Sequence, residues 1–131
     1  MAVRVSSKNF TPTDVVASLL TFMSSEFSND PKTIHTTIAR LQQDSKYRGL
    51  LEEFEFLDYH PYPYSPLLGR TLNRLQEARL LSSLNPSYEK YVVTEASKKA
   101  IEKQILEVKL ADQKDKLSEI ASELTKALAH R

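Results

Sequence analysis

The sequence predicts a mainly α-helical protein with one small β-hairpin, an α+β fold. Three segments begin with a capping residue followed by proline, an arrangement typical of a helix start. One short segment, residues 80–94, combines β-branched and aromatic residues with a turn signal, which favours two short strands. Residues 95–131 contain neither proline nor glycine, which predicts a long C-terminal helix.

The composition fits one soluble domain. The chain has 131 residues, of which 40% are hydrophobic and 27% charged, and this length suffices for one core. The net charge of +1 gives no general support to nucleic-acid binding, although it permits a local basic surface. The absence of cysteine excludes disulfides, and we find no leader-like or membrane-spanning apolar run. We therefore expect a cytoplasmic protein with no membrane partner.

The first two helices are predicted from their caps. Thr11 suits the N-cap and Pro12 the first helical position, so we expect a largely buried helix over 12–28. Asp30 and Pro31 repeat this arrangement before a second helix with apolar residues at helical spacing. After it, Gly49 weakens any helix, and the alternation of Phe54 and Phe56 with glutamates predicts an extended end.

A proline-rich connector precedes the third predicted helix. Residues 59–66 contain three prolines and three tyrosines, and each proline disfavours a helical conformation for the residue before it. The helix therefore begins at about Ser65–Pro66 and is expected to run over 66–81. Leucines at helical spacing mark its inner face, which leaves four polar residues on the outward stripe. These are Arg70, Asn73, Arg74 and Glu77.

The hairpin and the last helix follow directly. We expect two short strands around a turn at 85–87, and Thr94 is placed to cap the helix after them. The order of a helical unit, a helix, a β-hairpin and a long helix is typical of a winged helix. Residues 54–103 resemble a winged helix-turn-helix pattern, F-x-F…G-P-Y-S-x-x-L-x-x-x-L-x-x-L-x-x-x-G-L-L…Y-x-L-T. Pro63, Tyr64 and Ser65 match its P-Y-S core, whereas Arg79 stands where the pattern has glycine.

This resemblance implies a winged helix-turn-helix fold with a long C-terminal helix and a role in transcription regulation, with helix 66–81 as the recognition helix. Arginine and asparagine on such a helix suit phosphate contact and base-edge hydrogen bonding in a major groove. The candidate DNA-binding residues are Ser65, Arg70, Thr71, Asn73, Arg74, Lys90, Lys98 and Lys99. The plainer interpretation of this stripe is a solvated helix face. For the connector tyrosines, packing against the core is favoured over stacking on bases.

The C-terminal helix carries a leucine seam. Its apolar residues recur at alternating spacings of four and three, an a/d pattern too long for a small domain to cover. We therefore predict a homodimer through a coiled coil of paired helices, with a winged-helix domain at 1–94 and a dimerisation element at 95–131. The expected interface residues are Leu106, Leu110, Leu117, Ile120 and Leu124. The alternative is a break around 112–116 and a fold-back onto the first helix.

No pattern points to catalysis or metal binding. His35, His60 and His130 are far apart and lack metal-ligand spacing, and there is no phosphate-cradling loop or nucleophile motif. We expect no enzyme activity, no metal and no cofactor. The leading hypothesis is a dimeric regulator that binds double-stranded DNA. The alternative is a winged-helix module that binds protein partners within a larger assembly.

Overall fold

The computed structural model describes residues 10–58, 61–83 and 90–129 of the chain. The predicted α+β class is confirmed, because the described residues are mainly helical and form one small antiparallel sheet. The α-helices are α1 (Pro12–Leu20), α2 (Pro31–Gln42), α3 (Ser45–Leu51), α4 (Pro66–Glu77), α5 (Glu95–Ile101), α6 (Glu107–Lys109) and α7 (Lys114–Ala129). The strands are β1 (Glu26–Ser28), β2 (Ser82–Ser83) and β3 (Lys90–Val92).

Helix α1 begins as predicted but ends early. The Thr11 hydroxyl accepts from the Asp14 backbone N–H, and the Asp14 carboxylate accepts from the Thr11 N–H, a reciprocal capping box. The expected end at 28 is wrong, because the helix stops at Leu20 and residues 26–28 form β1. Backbone pairing with β3, which is distant in sequence, outweighs the helical apolar spacing of this stretch.

Helices α2 and α3 form a connected pair. Asp30 caps α2 by accepting from the Thr33 N–H at 3.1 Å, as the sequence predicts. Residues 45–51 form α3 despite Gly49. The side-chain amide of Gln42 then donates to the Leu51 carbonyl at 2.8 Å and to the Phe54 carbonyl at 2.6 Å. The Leu51 carbonyl also accepts from the Phe54 N–H, so Gln42 at the end of α2 helps to hold the end of α3 and the residues that follow it.

Helix α4 begins where the connector predicts and ends sooner than expected. The Ser65 hydroxyl accepts from the Leu68 N–H at 3.1 Å, and Pro66 occupies the first turn. The helix ends at Glu77 rather than 81, and Arg79 follows with a left-handed φ of 65°. The backbone N–H groups of Leu80 and Leu81 both donate to the Leu75 carbonyl. A left-handed residue of this kind closes many helices and is usually glycine.

The predicted hairpin is present and is joined by a third strand. β2 and β3 pair antiparallel, and β1 pairs with the other edge of β3, so the sheet order is β1-β3-β2. The expected turn at 85–87 lies outside the described residues. Phe27 of β1 packs edge-on against Tyr91 of β3, with ring centroids 5.8 Å apart.

The C-terminal region is not one continuous helix. The Thr94 cap is confirmed, since its hydroxyl accepts from the Ser97 N–H. The chain then passes from α5 through a π-helical turn, Glu102–Leu106, into the short α6. Leu110 leaves helical geometry at φ −131°, and a 3₁₀ turn, Ala111–Gln113, leads into α7. The prediction of an unbroken helix is therefore wrong.

Helix α7 folds back onto the same chain and packs against α1, α2 and α3. All five residues predicted for a dimer interface are buried within the single chain, at 0–7% exposure. They are Leu106, Leu110, Leu117, Ile120 and Leu124. The expectation of an exposed seam is wrong, because the apolar faces of the N-terminal helices cover it. The fold-back alternative is what the structure has, with the break at 110–113, and residues on both sides of position 94 share one core.

No helix among the described residues is long and apolar enough to cross a membrane.

Candidate nucleic-acid interface

The outward face of α4 is the polar stripe that the sequence predicts. Leu68 and Leu75 are each 2% exposed and face the core, and Leu72 is half-buried. The stripe residues Arg70, Asn73, Arg74 and Glu77 are all exposed. Within the described part of the chain, neither arginine makes an ion pair or a side-chain hydrogen bond. Two guanidinium groups and one amide are therefore available to a partner on one helix face.

The start of α4 is held by an aromatic cluster around His35 of α2. The Ser65 backbone N–H donates to His35 Nδ1 at 3.1 Å, and both residues are buried. The ring of Tyr64 stacks on His35 with centroids 4.5 Å apart and planes 14° apart, and Tyr62 lies at 6.1 Å. The packing interpretation is thus confirmed for Tyr62 and Tyr64, whereas Tyr59 lies outside the described residues. The cluster fixes where the chain enters the helix.

Gly69 completes this contact from the α4 side. A Cβ atom built at Gly69 would lie 2.8 Å from the Tyr64 hydroxyl oxygen, closer than real Cβ contacts allow. The missing side chain therefore lets Tyr64 lie against the first turns of α4. This close approach explains a glycine within an otherwise ordinary helix, where it lowers intrinsic helix stability.

Two of the predicted DNA contacts are wrong, because both side chains are buried. Ser65 is 0% exposed, because its hydroxyl caps α4 and its N–H is bonded to His35. Thr71 is 1% exposed, and its hydroxyl has no hydrogen-bond partner among the residues that the structure describes. Thr71 lies between the two leucine positions of the buried face, so it belongs to the core side of the helix. In this structure neither side chain is accessible to a phosphate.

The three predicted lysines differ in availability. Lys98 is largely buried at 16% side-chain exposure, and its ammonium donates to the Met23 carbonyl at 2.6 Å. Lys90 on β3 is exposed but lies 3.8 Å from the carboxylate of Glu26 on β1. Lys99 is exposed and makes no ion pair within the described residues. Lys98 thus connects α5 to the segment after α1, while Lys99 remains available for an anionic partner.

A surface groove of about 350 Å³ lies beside the stripe, between α2, α4 and β3. Its walls include His35, Tyr64, Arg70, Asn73 and Tyr91. Burial raises the pKa of Tyr91, so its hydroxyl stays neutral at physiological pH. The groove therefore combines aromatic rings with one guanidinium and one amide, which suits an anionic or hydrogen-bonding partner better than an apolar one.

The described residues contain no group of three or more histidine, aspartate and glutamate side chains placed to hold a metal ion. His35 contributes to the aromatic cluster, while His60 and His130 lie outside the described ranges.

Sequence reasoning missed the role of His35 and the strand β1. His35 lies 30 positions before Ser65, and nothing local links the two. The available signal was the position of His35 next to Ile34 and three residues before Ile38. Both isoleucines are buried, which indicates that the His35 side chain points inward. For β1, the signal was that three polar residues, 24–26, separate Phe27 from the apolar set that ends at Met23.

No protein family, curated protein or solved structure matches this chain.

Proposed function

We propose that this protein is a winged-helix transcription regulator that binds duplex DNA by inserting α4 into the major groove. The observation that carries the proposal is the exposed stripe of Arg70, Asn73 and Arg74 on a helix whose entry is fixed by buried contacts. Arginine reads guanine or grips phosphate, and asparagine pairs with adenine edges. A rigid entry lowers the ordering cost of presenting these groups to a partner.

The elements around α4 support the same proposal. An antiparallel hairpin follows the helix directly, as the resemblance to winged helix-turn-helix proteins implies. Lys99 and the stripe arginines are the cations from the predicted set that have no ion pair among the described residues. Phosphate neutralisation by such cations supplies most non-specific affinity for DNA. The leucine seam is buried within the single chain. The proposal therefore counts one α4 helix, and one DNA half-site contacted by that helix, for each chain.

The test is a fluorescence-anisotropy titration of a random-sequence duplex at several salt concentrations. Replacing both Arg70 and Arg74 by alanine should weaken binding by about tenfold or more and reduce the salt slope by about 2. The matched control is Lys116→Ala with Lys126→Ala on α7, which removes the same charge from exposed positions elsewhere. Wild-type protein that does not bind the duplex at low salt, or equal losses in the two double variants, would overturn the proposal.

A second candidate is a module that binds a protein partner through the same face. The observation that favours it is the engagement of Lys90 with Glu26 and of Lys98 with Met23, which leaves few cations free for phosphates. A net charge of +1 points the same way. This candidate predicts no duplex binding at low salt together with a partner interaction that Arg74→Ala weakens, so duplex binding by the wild-type protein distinguishes the two functions.

A further inference from the structure

The surface groove between α2, α4 and β3 combines free hydrogen-bond donors with an absence of negative charge. Its volume of about 350 Å³ lies within the range of about 300–1,000 Å³ that is typical of small-molecule pockets. None of the nine described residues that line it is acidic. Two of them, Arg70 and Asn73, make no ion pair or side-chain hydrogen bond within the described part of the chain. The groove therefore offers a guanidinium and an amide with no carboxylate in its described wall to compete for them.

Tyr91 adds a buried hydroxyl to these two donors. The residue lines the groove and is only 9% exposed. Its ring meets Phe27 edge-on, and its hydroxyl makes no hydrogen bond to any residue that the structure describes. A hydroxyl that is withdrawn from water without a partner costs stability. Because burial raises the pKa of Tyr91, the hydroxyl keeps its proton and can donate to an anion. An acceptor in the groove would therefore remove a cost that the free protein carries.

The start of α4 adds positive potential to the same groove. The free N–H groups of the first turn of a helix carry a partial positive charge that favours anions. Pro31 of α2 and Pro66 of α4 both line the groove. The cap of α2 is the carboxylate of Asp30, which compensates this charge, whereas the cap of α4 is the neutral hydroxyl of Ser65. Because the first turn of α4 contains no acidic residue, its positive end remains uncompensated.

The other walls of the groove are rings and apolar surface. The stacked rings of His35 and Tyr64 line it together with Leu72 and the two prolines. Such walls suit a flat apolar body, which packs against aromatic rings in offset or edge-on geometry. One guanidinium balances one negative charge, and its fork of N–H groups matches a carboxylate. The groove therefore specifies a flat ring that bears a single carboxylate.

We propose that this groove binds a small aromatic monocarboxylate, whose carboxylate is held by Arg70, Asn73 and Tyr91 and whose ring lies against Tyr64. Arg70 also belongs to the polar stripe, so the bound acid and DNA compete for its guanidinium. The competition rests on the proposed function, whereas the binding site depends only on the groove. The acid then acts as an effector that releases the protein from DNA.

The test is a titration of the full chain with sodium benzoate, followed by the NMR chemical shifts of the backbone amides. A ligand of this size should bind with a dissociation constant on the order of 1 mM. Benzamide has the same shape without the charge, and it should bind about tenfold more weakly. Acetate, which lacks the ring, should also bind more weakly. The absence of a saturable shift with benzoate, or equal affinities for benzoate and benzamide, would overturn the proposal.

Two variants and one control locate the site. Tyr91→Phe removes only the hydroxyl and Arg70→Ala removes the guanidinium, and each should weaken benzoate binding by about tenfold. The matched control is Arg74→Ala, which removes the same group from an exposed position of α4 that does not line the groove. It should change the affinity for benzoate by less than about twofold. The amide spectrum of each variant verifies its fold. Unchanged affinity in Tyr91→Phe and Arg70→Ala, or an equal loss in Arg74→Ala, would contradict the assigned site.

A duplex-release experiment separates the site from the proposed function. Benzoate should lower the fluorescence anisotropy of a bound random-sequence duplex more than acetate does at the same ionic strength. Release no greater than that by acetate would contradict the competition. A protein that binds benzoate but not the duplex would overturn the proposed function and support the site.

Discussion

Helices α4 and α7 both place leucines into the same core, and they differ in how their charged residues are used. On α7, Glu119 accepts a hydrogen bond from the Tyr47 hydroxyl at 2.9 Å and lies 2.7 Å from the Lys46 ammonium. Glu123 lies 3.5 Å from Arg40 of α2. On α4, by contrast, Arg70 and Arg74 have no ion pair among the described residues.

This difference indicates that α7 closes the fold, whereas α4 is held at the surface. Two carboxylates of α7, Glu119 and Glu123, are directed back to α3 and α2, so they help to hold the helix against the rest of the chain. The arginines of α4 are left to solvent while the start of the helix is fixed by His35 and Tyr64. Charged groups without an ion pair among the described residues, on a rigid support, are the feature on which the proposed interaction surface depends.

The largest expected effect comes from removing a buried contact of α7. Leu117→Ala should lower the free energy of unfolding by about 2–5 kcal/mol, because it leaves a cavity at a side chain that is fully buried. Urea denaturation measures this change. Ser118→Ala, at an exposed position of the same helix, should change stability by less than about 0.5 kcal/mol. If both variants are equally stable, α7 does not close the core.

A smaller effect is expected at the end of α4. Arg79→Gly should raise the free energy of unfolding by about 0.5–1 kcal/mol, since glycine adopts the left-handed φ of 65° without the cost paid by arginine. Ala78→Gly is the matched control. Ala78 has a right-handed φ of −81°, so this exchange should lower the free energy of unfolding by a similar amount. Destabilisation by Arg79→Gly would contradict the left-handed closure of α4.

The contact that holds the start of α4 can be tested by a double-mutant cycle. Gly69→Ala adds a Cβ 2.8 Å from the Tyr64 hydroxyl, so the usual gain in helix propensity should be lost in the wild-type background. In a Tyr64→Phe background the nearest ring atom is 3.7 Å away, and the same change should stabilise by about 0.5–1 kcal/mol. The coupling is read from thermal or urea unfolding of all four proteins. Equal effects in both backgrounds would show that Tyr64 does not approach Gly69.

The smallest effect concerns the exposed charges of α7. Hydrogen bonds from Lys46 and then Tyr47 hold the pKa of Glu119 below its usual value. A lowered carboxyl pKa stabilises the fold above the unfolded pKa, and this contribution disappears as the pH falls through the folded pKa. Glu119→Gln should therefore be slightly less stable than wild type at neutral pH, with a difference that vanishes in acid.

Unfolding curves measured across this pH range check the prediction for Glu119. Glu107→Gln is the control, because Glu107 is exposed and makes no ion pair within the described part of the chain. A difference for Glu119→Gln that persists at the acidic end would contradict the proposed cause.

The sequence predicted much of the fold and about half of the candidate interface. The helix starts at Pro12, Pro31, Pro66 and Glu95 were all correct. The outward stripe of α4 was also correct, because helical periodicity relates residues three and four positions apart. Thr71 was expected to contact phosphate, although its position three residues after Leu68 and four before Leu75 places it on the buried face of the helix.

The C-terminal region shows why the rest was not predictable. Its leucine spacing fits a partner helix equally well whether that partner is a second copy or the same chain's α1 and α2. Local signals favoured continuity, because no helix-breaking residue lies between 95 and 131. The break at Leu110 follows from burying that side chain fully in the core, a gain that only the assembled helices provide.

The sequence by itself determined where α1, α2, α4 and α5 begin, because each of their caps is a hydrogen bond between groups at most three residues apart. Only the tertiary structure decided what each helix faces. The His35–Ser65 contact, the β1–β3 pairing and the fold-back of α7 join residues that are 30 or more positions apart. Burial and long-range pairing are properties of the whole chain, so no local pattern encodes them.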